Sequence, residues 1–209
     1  MTATCYDPAC ERFIGDVSGH PLDGAYRRKE RAEHHLRELK SQVETTRATF
    51  AGTLARNVTA PILPIPALWS ILTGEVAYNL CAALDYLAYE LWFHDDKTDP
   101  GKQSAFGKPD RRQGVSTRHD AMLRKYDDAP WFIALSDTLN NPDKHRRLHP
   151  LRTSIGIGHM FSPLGTTLEA TLAVRLEDET NIIQALEGFI SNVTSVLDEF
   201  KPEFQTVAQ

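Results

Sequence analysis

The sequence predicts a mainly α-helical protein, a bundle of four to five helices with a small antiparallel β-hairpin. Apolar residues recur at helical spacing in several segments, most completely from Trp69 to His94. Residues 153–176 instead alternate apolar and polar side chains around a Ser-Pro-Leu-Gly turn, as in a hairpin. With 209 residues the chain has the length of one domain. We therefore predict a single helical domain over residues 25–209, after a loosely ordered segment at residues 1–24.

The first part of this domain is predicted to be one long helix followed by a proline-rich connection. Residues 25–46 place apolar side chains on one face and charged side chains on the other, which favours a helix. Residues 50–58 are richer in threonine and valine, and this composition indicates a short strand. Three prolines between residues 61 and 66 then favour extended chain.

The segment from Trp69 to His94 is the expected centre of the fold. Apolar residues cover most of its circumference, which is typical of a helix surrounded by others. Its polar side chains fall on two narrower stripes, one with Glu75, Asn79, Tyr86 and Glu90 and the other with Tyr78, Asp85 and Tyr89. We expect this helix to pack against helices at residues 25–46, 130–140 and 180–200.

The second half of the chain is predicted to contain shorter elements. Residues 95–114 have the composition of a loop, which is either functional or disordered. Helical patterns follow at residues 118–126, 130–140 and 182–200. Asn141 and Pro142 suit the cap and first position of one more helix, which Pro150 ends.

Composition limits the classes of function. The net charge of -5 argues against broad, non-specific binding of nucleic acid, although a small basic site is compatible with it. The sequence has no unbroken run of 18 apolar residues and no secretory signal pattern, so we expect a cytoplasmic protein with no membrane contact. Cys81 lies among apolar residues and reads as a core residue, while Cys5 and Cys10 are weak indicators of a metal.

The predicted helix start after residue 140 concentrates the polar groups that chemistry needs. His145 has the side chain best suited to general acid or base work near neutral pH. Phosphate could be bound there by positive side chains and by backbone N–H groups at the helix start, which gives the candidate residues Asn141, Lys144, Arg146 and Arg147. In the alternative reading Asn141 only caps the helix and the basic side chains are solvated. Both readings stay open.

A metal is not the preferred interpretation of this turn. His145 and His149 are four residues apart and would share a helix face, but a catalytic zinc needs a third protein ligand. His159 is the only nearby candidate for that ligand, and histidines at such spacing are more often surface or packing residues. The sequence also has no glycine-rich phosphate loop and no G-x-S-x-G motif. We therefore predict no metal and no cofactor.

Asp85 is the second candidate catalytic residue. A carboxylate within an apolar helix needs a partner, because an unpaired buried charge is costly. We predict that Asp85 or Asn79 holds the His145 turn in place, either as a structural clasp or as an acid–histidine pair.

Two segments, residues 74–87 and residues 139–146, resemble a set of uncharacterised bacterial and phage proteins. The motifs of these proteins are G-[DE]-x-x-x-N-L-R-S-A-L-D-H-L and L-N-x-x-D-K-H-R. The residues that match are Gly74, Glu75, Asn79, Leu80, Ala83, Leu84, Asp85, Leu87, Leu139, Asn140, Asp143, Lys144, His145 and Arg146. The chain departs from the first motif with Cys81 in place of arginine, Ala82 in place of serine and Tyr86 in place of the second histidine. The resemblance implies family membership but no established activity.

A more distant resemblance is to HEPN domains, helical bundles that include RNA-cleaving toxins and antiviral effectors. Their signature is an arginine, a polar residue and, a few residues later, a histidine near a helix start. The segment from Asn140 to His145 is similar, with Asn140 in place of the arginine that helps to polarise the scissile phosphate.

Two hypotheses for function therefore stay open. In the first, the protein acts on RNA in a defence or toxin-type role, and any enzymatic activity is a metal-independent ribonuclease activity with His145 as acid or base. In the second, it is a non-catalytic protein-interaction module whose polar motifs are structural. The expected partners are RNA or another protein, and a homodimer is a further expectation.

Overall fold

The fold is known from a computed structural model, which describes residues 19–54, 65–100, 104–140, 151–162, 165–176 and 178–204. Within these residues there are five helices and one two-stranded antiparallel sheet, which confirms the predicted mainly helical class with a minor hairpin. The segment up to residue 18 and the predicted helix at residues 141–150 lie outside the described residues.

Helix α1 spans Asp23–Leu54 and is longer than predicted. The strand predicted at residues 50–58 is wrong as far as residue 54, because Phe50 is buried on the apolar face of α1, two turns after Val43. Threonine does not oppose the helix here, since the Thr49 and Thr53 hydroxyls each donate to the carbonyl four residues earlier. Residues 55–58 lie outside the described residues.

Helix α2 spans Ala67–Asp96 and is the central helix, as predicted. It begins after Pro66, whose backbone is extended, and ends where Lys97 adopts a left-handed conformation with φ of 59°. Among the described residues it is the one helix long and apolar enough to cross a membrane. However, 67% of its most apolar window is buried inside the protein, and the core helix of a soluble protein meets the same criterion.

The remaining elements surround α2 at the predicted positions. Helix α3 spans Thr117–Leu123 and continues as a 3-10 turn, and α4 spans Pro130–Ile133 and continues as π-helix over Ala134–Asn140. Strands β1 (Arg152–Ser162) and β2 (Gly165–Arg175) form the hairpin, and α5 spans Ile182–Phe200. Helices α1 and α5 and the π-helical continuation of α4 pack on α2, which confirms the predicted core.

The connection between α2 and α3 is fixed to the core by two groups. Phe106 is almost completely buried, and its backbone N–H donates to the Asp85 carboxylate at 3.1 Å. The guanidinium of Arg112 is only 1% exposed and donates to the Phe106 carbonyl and to the Asp127 carboxylate. The carboxylate of Asp120 lies 3.6 Å from the same guanidinium. We call this group the Arg112 clasp, and it holds the loop beside α2.

Candidate ligand-binding site on helix α2

One side of α2 borders a cavity of about 560 Å³, within the range of small-molecule sites. Most of its lining comes from α2 residues at spacings of three and four, so they share one helix face. Arg28 of α1 closes one margin and Ser104 of the loop another. The α2 residues are Tyr78, Cys81, Ala82, Asp85, Tyr86, Tyr89 and Glu90, and we call this cavity the α2 pocket.

The tyrosines give the pocket an aromatic lining. Tyr78 and Tyr86 are 41% and 42% exposed, so both rings are accessible to a ligand. The Tyr86 ring lies against α1, where a Cβ atom at Gly24 would come within 2.9 Å of it. Tyr89 is fixed from the other end, because its hydroxyl donates to Asp99 at 3.2 Å. Two exposed rings and one anchored ring therefore face the same space.

Arg28 brings to the pocket a positive charge that no carboxylate of the described residues neutralises. Its guanidinium carbon lies 5.8 Å from the centre of the Tyr86 ring. Among the described residues it donates one hydrogen bond, to the Oδ1 atom of Asn79 at 3.4 Å, and it forms no ion pair. Asn79 is buried and donates to the Glu75 carbonyl at 2.8 Å, so it positions Arg28 without compensating its charge.

Glu90 brings a carboxylate that has no partner among residues the structure describes. It is half-buried and makes no hydrogen bond or ion pair within the described part of the chain. Burial raises the pKa of its carboxyl, because the charged form loses solvent and gains no compensating donor. A carboxyl group in this state that lines a cavity is a candidate ligand-binding group.

Asp85 lines the same pocket, but the structure gives it a different partner from the predicted one. Its Oδ1 atom accepts the Phe106 backbone N–H, so Asp85 anchors the loop from within α2. The prediction that Asp85 or Asn79 holds the His145 turn, as a clasp or as an acid–histidine pair, concerns a turn outside the described residues and stays a prediction. The prediction that Asp85, Tyr78 and Tyr89 share one helix face is confirmed.

The other predicted site residues belong to the segment that the structure does not describe. They are Asn141, Lys144, His145, Arg146 and Arg147. Asn140, the last described residue before them, is buried, and its Oδ1 atom has no hydrogen-bond partner among the described residues.

The α2 pocket also contains groups that the sequence did not single out. Arg28 lies 51 residues before Asn79 in the chain, and the packing of α1 on α2 brings it to the pocket. The sequence pattern puts Glu90 on a polar stripe of α2 but predicts no ligand for its carboxylate. Cys81, Ala82 and Tyr86, at which the chain departs from the first motif that it resembles, also line this pocket.

Comparisons of the chain with protein-family models, with curated proteins and with solved structures gave no match.

Proposed function

We propose that the protein binds RNA by taking an unpaired nucleotide into the α2 pocket. The observation that carries this proposal is the grouping of exposed tyrosine rings with Arg28 and Glu90, neither of which has an ion-pair partner among the described residues. Single-stranded RNA is generally recognised by stacking of its bases on aromatic rings and on arginine, with hydrogen bonds to the base edges.

The lining residues divide into three roles in this proposal. Tyr78 and Tyr86 offer faces for stacking. Arg28 binds a phosphate or stacks on a base, as guanidinium groups do in both settings. Glu90 accepts hydrogen bonds from an amino group of the base, as carboxylates do with cytosine. The net charge of -5 fits recognition of a single nucleotide better than binding along a phosphate backbone.

The turn at residues 141–147 belongs to the same proposal as its catalytic half. In this half His145 is the general acid or base of RNA cleavage, and Lys144, Arg146 and Arg147 hold the scissile phosphate. This half of the proposal rests on the sequence alone. We expect the wild-type protein to cleave RNA and the His145→Ala variant to lack this activity. Cleavage by both proteins at the same rate would exclude His145 as the catalyst.

Binding is tested by titrating a fluorescently labelled single-stranded RNA of mixed sequence and recording anisotropy. Arg28→Ala should weaken binding about tenfold or more, since a hydrogen bond to a charged group contributes about 1.5–3 kcal/mol. The control is Arg31→Ala, an exposed arginine one turn further along α1 that does not line the pocket. Equal affinities of these two variants would contradict the proposal.

A second function is favoured by a different observation. Ile71, Tyr78 and Phe93 are all more than 40% exposed and lie on one side of α2. In this reading the protein is an interaction module, and the stripe packs on the same stripe of a second copy of the chain. Such pairing is self-complementary about a two-fold axis, and the near-heptad spacing suits a helix seam.

Sedimentation equilibrium tests this second function. We expect the wild-type protein to be a homodimer that the Ile71→Glu substitution dissociates. The control is Ile133→Glu at an equally exposed position of α4, which should leave the dimer intact. A monomer at every concentration would exclude it.

A further inference from the structure

A second group of polar side chains lies beyond the C-terminal end of the α2 pocket. His94 and Asp95 stand in the last turn of α2, and His119 stands in the first turn of α3. Glu203 comes from the 3-10 turn Lys201–Phe204 that follows α5. Four titratable side chains from three chain segments therefore converge.

The two histidines and Asp95 converge with the spacing of metal ligands. One ligand atom from each lies within 4.8 Å of the others. The Nδ1 atoms of His94 and His119 both lie 3.0 Å from Oδ1 of Asp95. Two imidazole nitrogens with one carboxylate oxygen are a ligand set that divalent transition metals accept.

The surroundings of these groups match those of a metal site. The Nε2 atom of His119 lies 3.2 Å from Oε2 of Glu203, and metal-bound histidines regularly donate their second N–H to a carboxylate. That bond leaves the lone pair of Nδ1 directed at the Asp95 carboxylate, 2.8 Å away. Two electron-rich atoms at this distance need a proton or a cation between them. Asp95 itself is oriented by the Ser116 backbone N–H, which donates to its Oδ2 atom at 2.7 Å.

The imidazole ring of His94 is held by its Nδ1 contact with Asp95 and by its aromatic neighbours. Its Nε2 atom is buried and has no partner among the described residues. Its ring is held by edge contacts with the rings of His119 and Phe204, with centroids 5.8 and 5.5 Å away. The ring orientation that these contacts fix is the one that directs Nδ1 at Asp95.

We propose that His94, Asp95 and His119 bind a divalent transition-metal ion, with Zn²⁺ as the first choice, and that Glu203 orients His119. At zinc–ligand distances of about 2.0–2.1 Å in tetrahedral geometry, the ligand atoms would be about 3.3 Å apart. The contacts of 2.8 to 3.0 Å between the histidine Nδ1 atoms and the Asp95 carboxylate would open by a few tenths of an ångström. The two histidine ligand atoms, which lie within 4.8 Å of each other, would move to the same spacing. Water fills the remaining coordination position. This site stands independently of the proposed RNA binding.

The test is calorimetric titration of Zn²⁺ into full-length protein that has first been freed of metal with a chelator. Variants His94→Ala and His119→Gln should each bind one equivalent fewer than the wild type. The control is His34→Ala, an exposed histidine of α1 outside the cluster, which should keep the full number. Glu203→Gln should keep the equivalent but weaken it about 10- to 100-fold.

Co²⁺ supplies a readout that loss of folding does not imitate. The wild-type protein should develop visible absorption bands at one equivalent of Co²⁺, and Zn²⁺ should abolish them. Melting temperatures in chelator identify any variant that is unfolded, and Asp95→Asn then replaces it. A wild-type protein that binds no metal, or binding unchanged in His94→Ala and His119→Gln, would show that the cluster is an ion-pair network of a protonated His119 between two carboxylates.

Discussion

Arg28 and Arg112 each lie over an aromatic ring, and the difference in their partners separates the two kinds of polar site in this protein. Arg28 is 5.8 Å from the Tyr86 ring and Arg112 is 5.9 Å from the Phe106 ring. Arg112 is buried and donates to a carboxylate and a carbonyl, so its charge is used within the fold. Arg28 has one amide oxygen at 3.4 Å. Arg28 is therefore available to a ligand, whereas Arg112 is structural.

The two carboxylates that line the pocket differ in the same way. Asp85 accepts the backbone N–H of Phe106 and fixes the loop. Glu90, a little over one turn later on α2, has no such donor within the described residues, and burial raises its pKa. Residues that stabilise the fold and residues that line the candidate ligand site thus lie on the same face of α2. Asp85 forms a hydrogen bond to another part of the protein, whereas Glu90 forms none among the described residues.

The largest expected effect is on the Arg112 clasp. Arg112→Leu should lower the free energy of unfolding by about 3 kcal/mol. This value is at the low end for a broken buried ion pair, because Asp120 and Asp127 still reach solvent at about a fifth of their surface. Urea denaturation measures the loss, and the exposed neighbour Arg111→Leu is the control. RNA affinity of folded Arg112→Leu should fall less than that of Arg28→Ala, because Arg112 acts on the pocket only through the loop that carries Ser104. An equal loss of affinity in both variants would contradict the comparison.

The next effect is on stacking in the pocket. Tyr78→Ala should reduce RNA affinity by about 1–3 kcal/mol, the range for loss of one base–aromatic stack. Tyr78→Phe should retain most of the affinity, since it keeps the ring. Anisotropy titrations measure both. If Tyr78→Phe lost as much affinity as Tyr78→Ala, the hydroxyl rather than the ring would bind the ligand.

A smaller effect concerns the charge of Glu90 in the protein without ligand. Because its pKa is raised in the folded state, the folded protein is penalised above that pKa and the penalty disappears below the unfolded pKa. Glu90→Gln should therefore be more stable than the wild type at pH 7, by less than about 1 kcal/mol since the group is half-exposed. The difference should vanish as the pH falls below the ordinary carboxyl range.

Thermal melts at several pH values measure this difference, with the exposed Glu30→Gln as control. A Glu90→Gln variant that is less stable at pH 7 would mean that Glu90 has a stabilising partner in the fold.

The smallest effect is expected at Gly24, where α1 touches the Tyr86 ring. The Cβ atom of Gly24→Ala would lie 2.9 Å from that ring, so the ring must rotate into the pocket. We expect RNA affinity to fall by less than about 1 kcal/mol, the scale of a shifted rotamer. Helix stability should not fall, because alanine is the better helix former. An affinity equal to that of the wild type would remove Tyr86 from the binding surface.

The fold was predictable where burial repeats along the sequence. Helix α2, the final helix and the hairpin each show their own period, and the structure has them at the expected positions. The strand predicted from residue 50 failed because local composition was weighed above the phase of Phe50, which continues the buried face of α1. Tertiary packing overrides such weak local preferences.

The pocket was predictable only in part. Helical geometry alone places Tyr78, Asp85 and Tyr89 on one face, but Arg28 joins them through packing between helices. The metal cluster was not predictable, because His119 is 24 residues from Asp95 and 84 residues from Glu203 and no spacing motif connects them. Only the convergence of three segment ends brings these groups together.

Ultraviolet cross-linking of bound RNA, with mass spectrometry of the linked peptides, tests most directly the claim that the α2 pocket receives the nucleotide. The expected cross-links are to Tyr78 and Tyr86, and Arg28→Ala should reduce them while the control Arg31→Ala leaves them unchanged. Cross-links confined to residues 141–150, or absent from α2, would contradict the account.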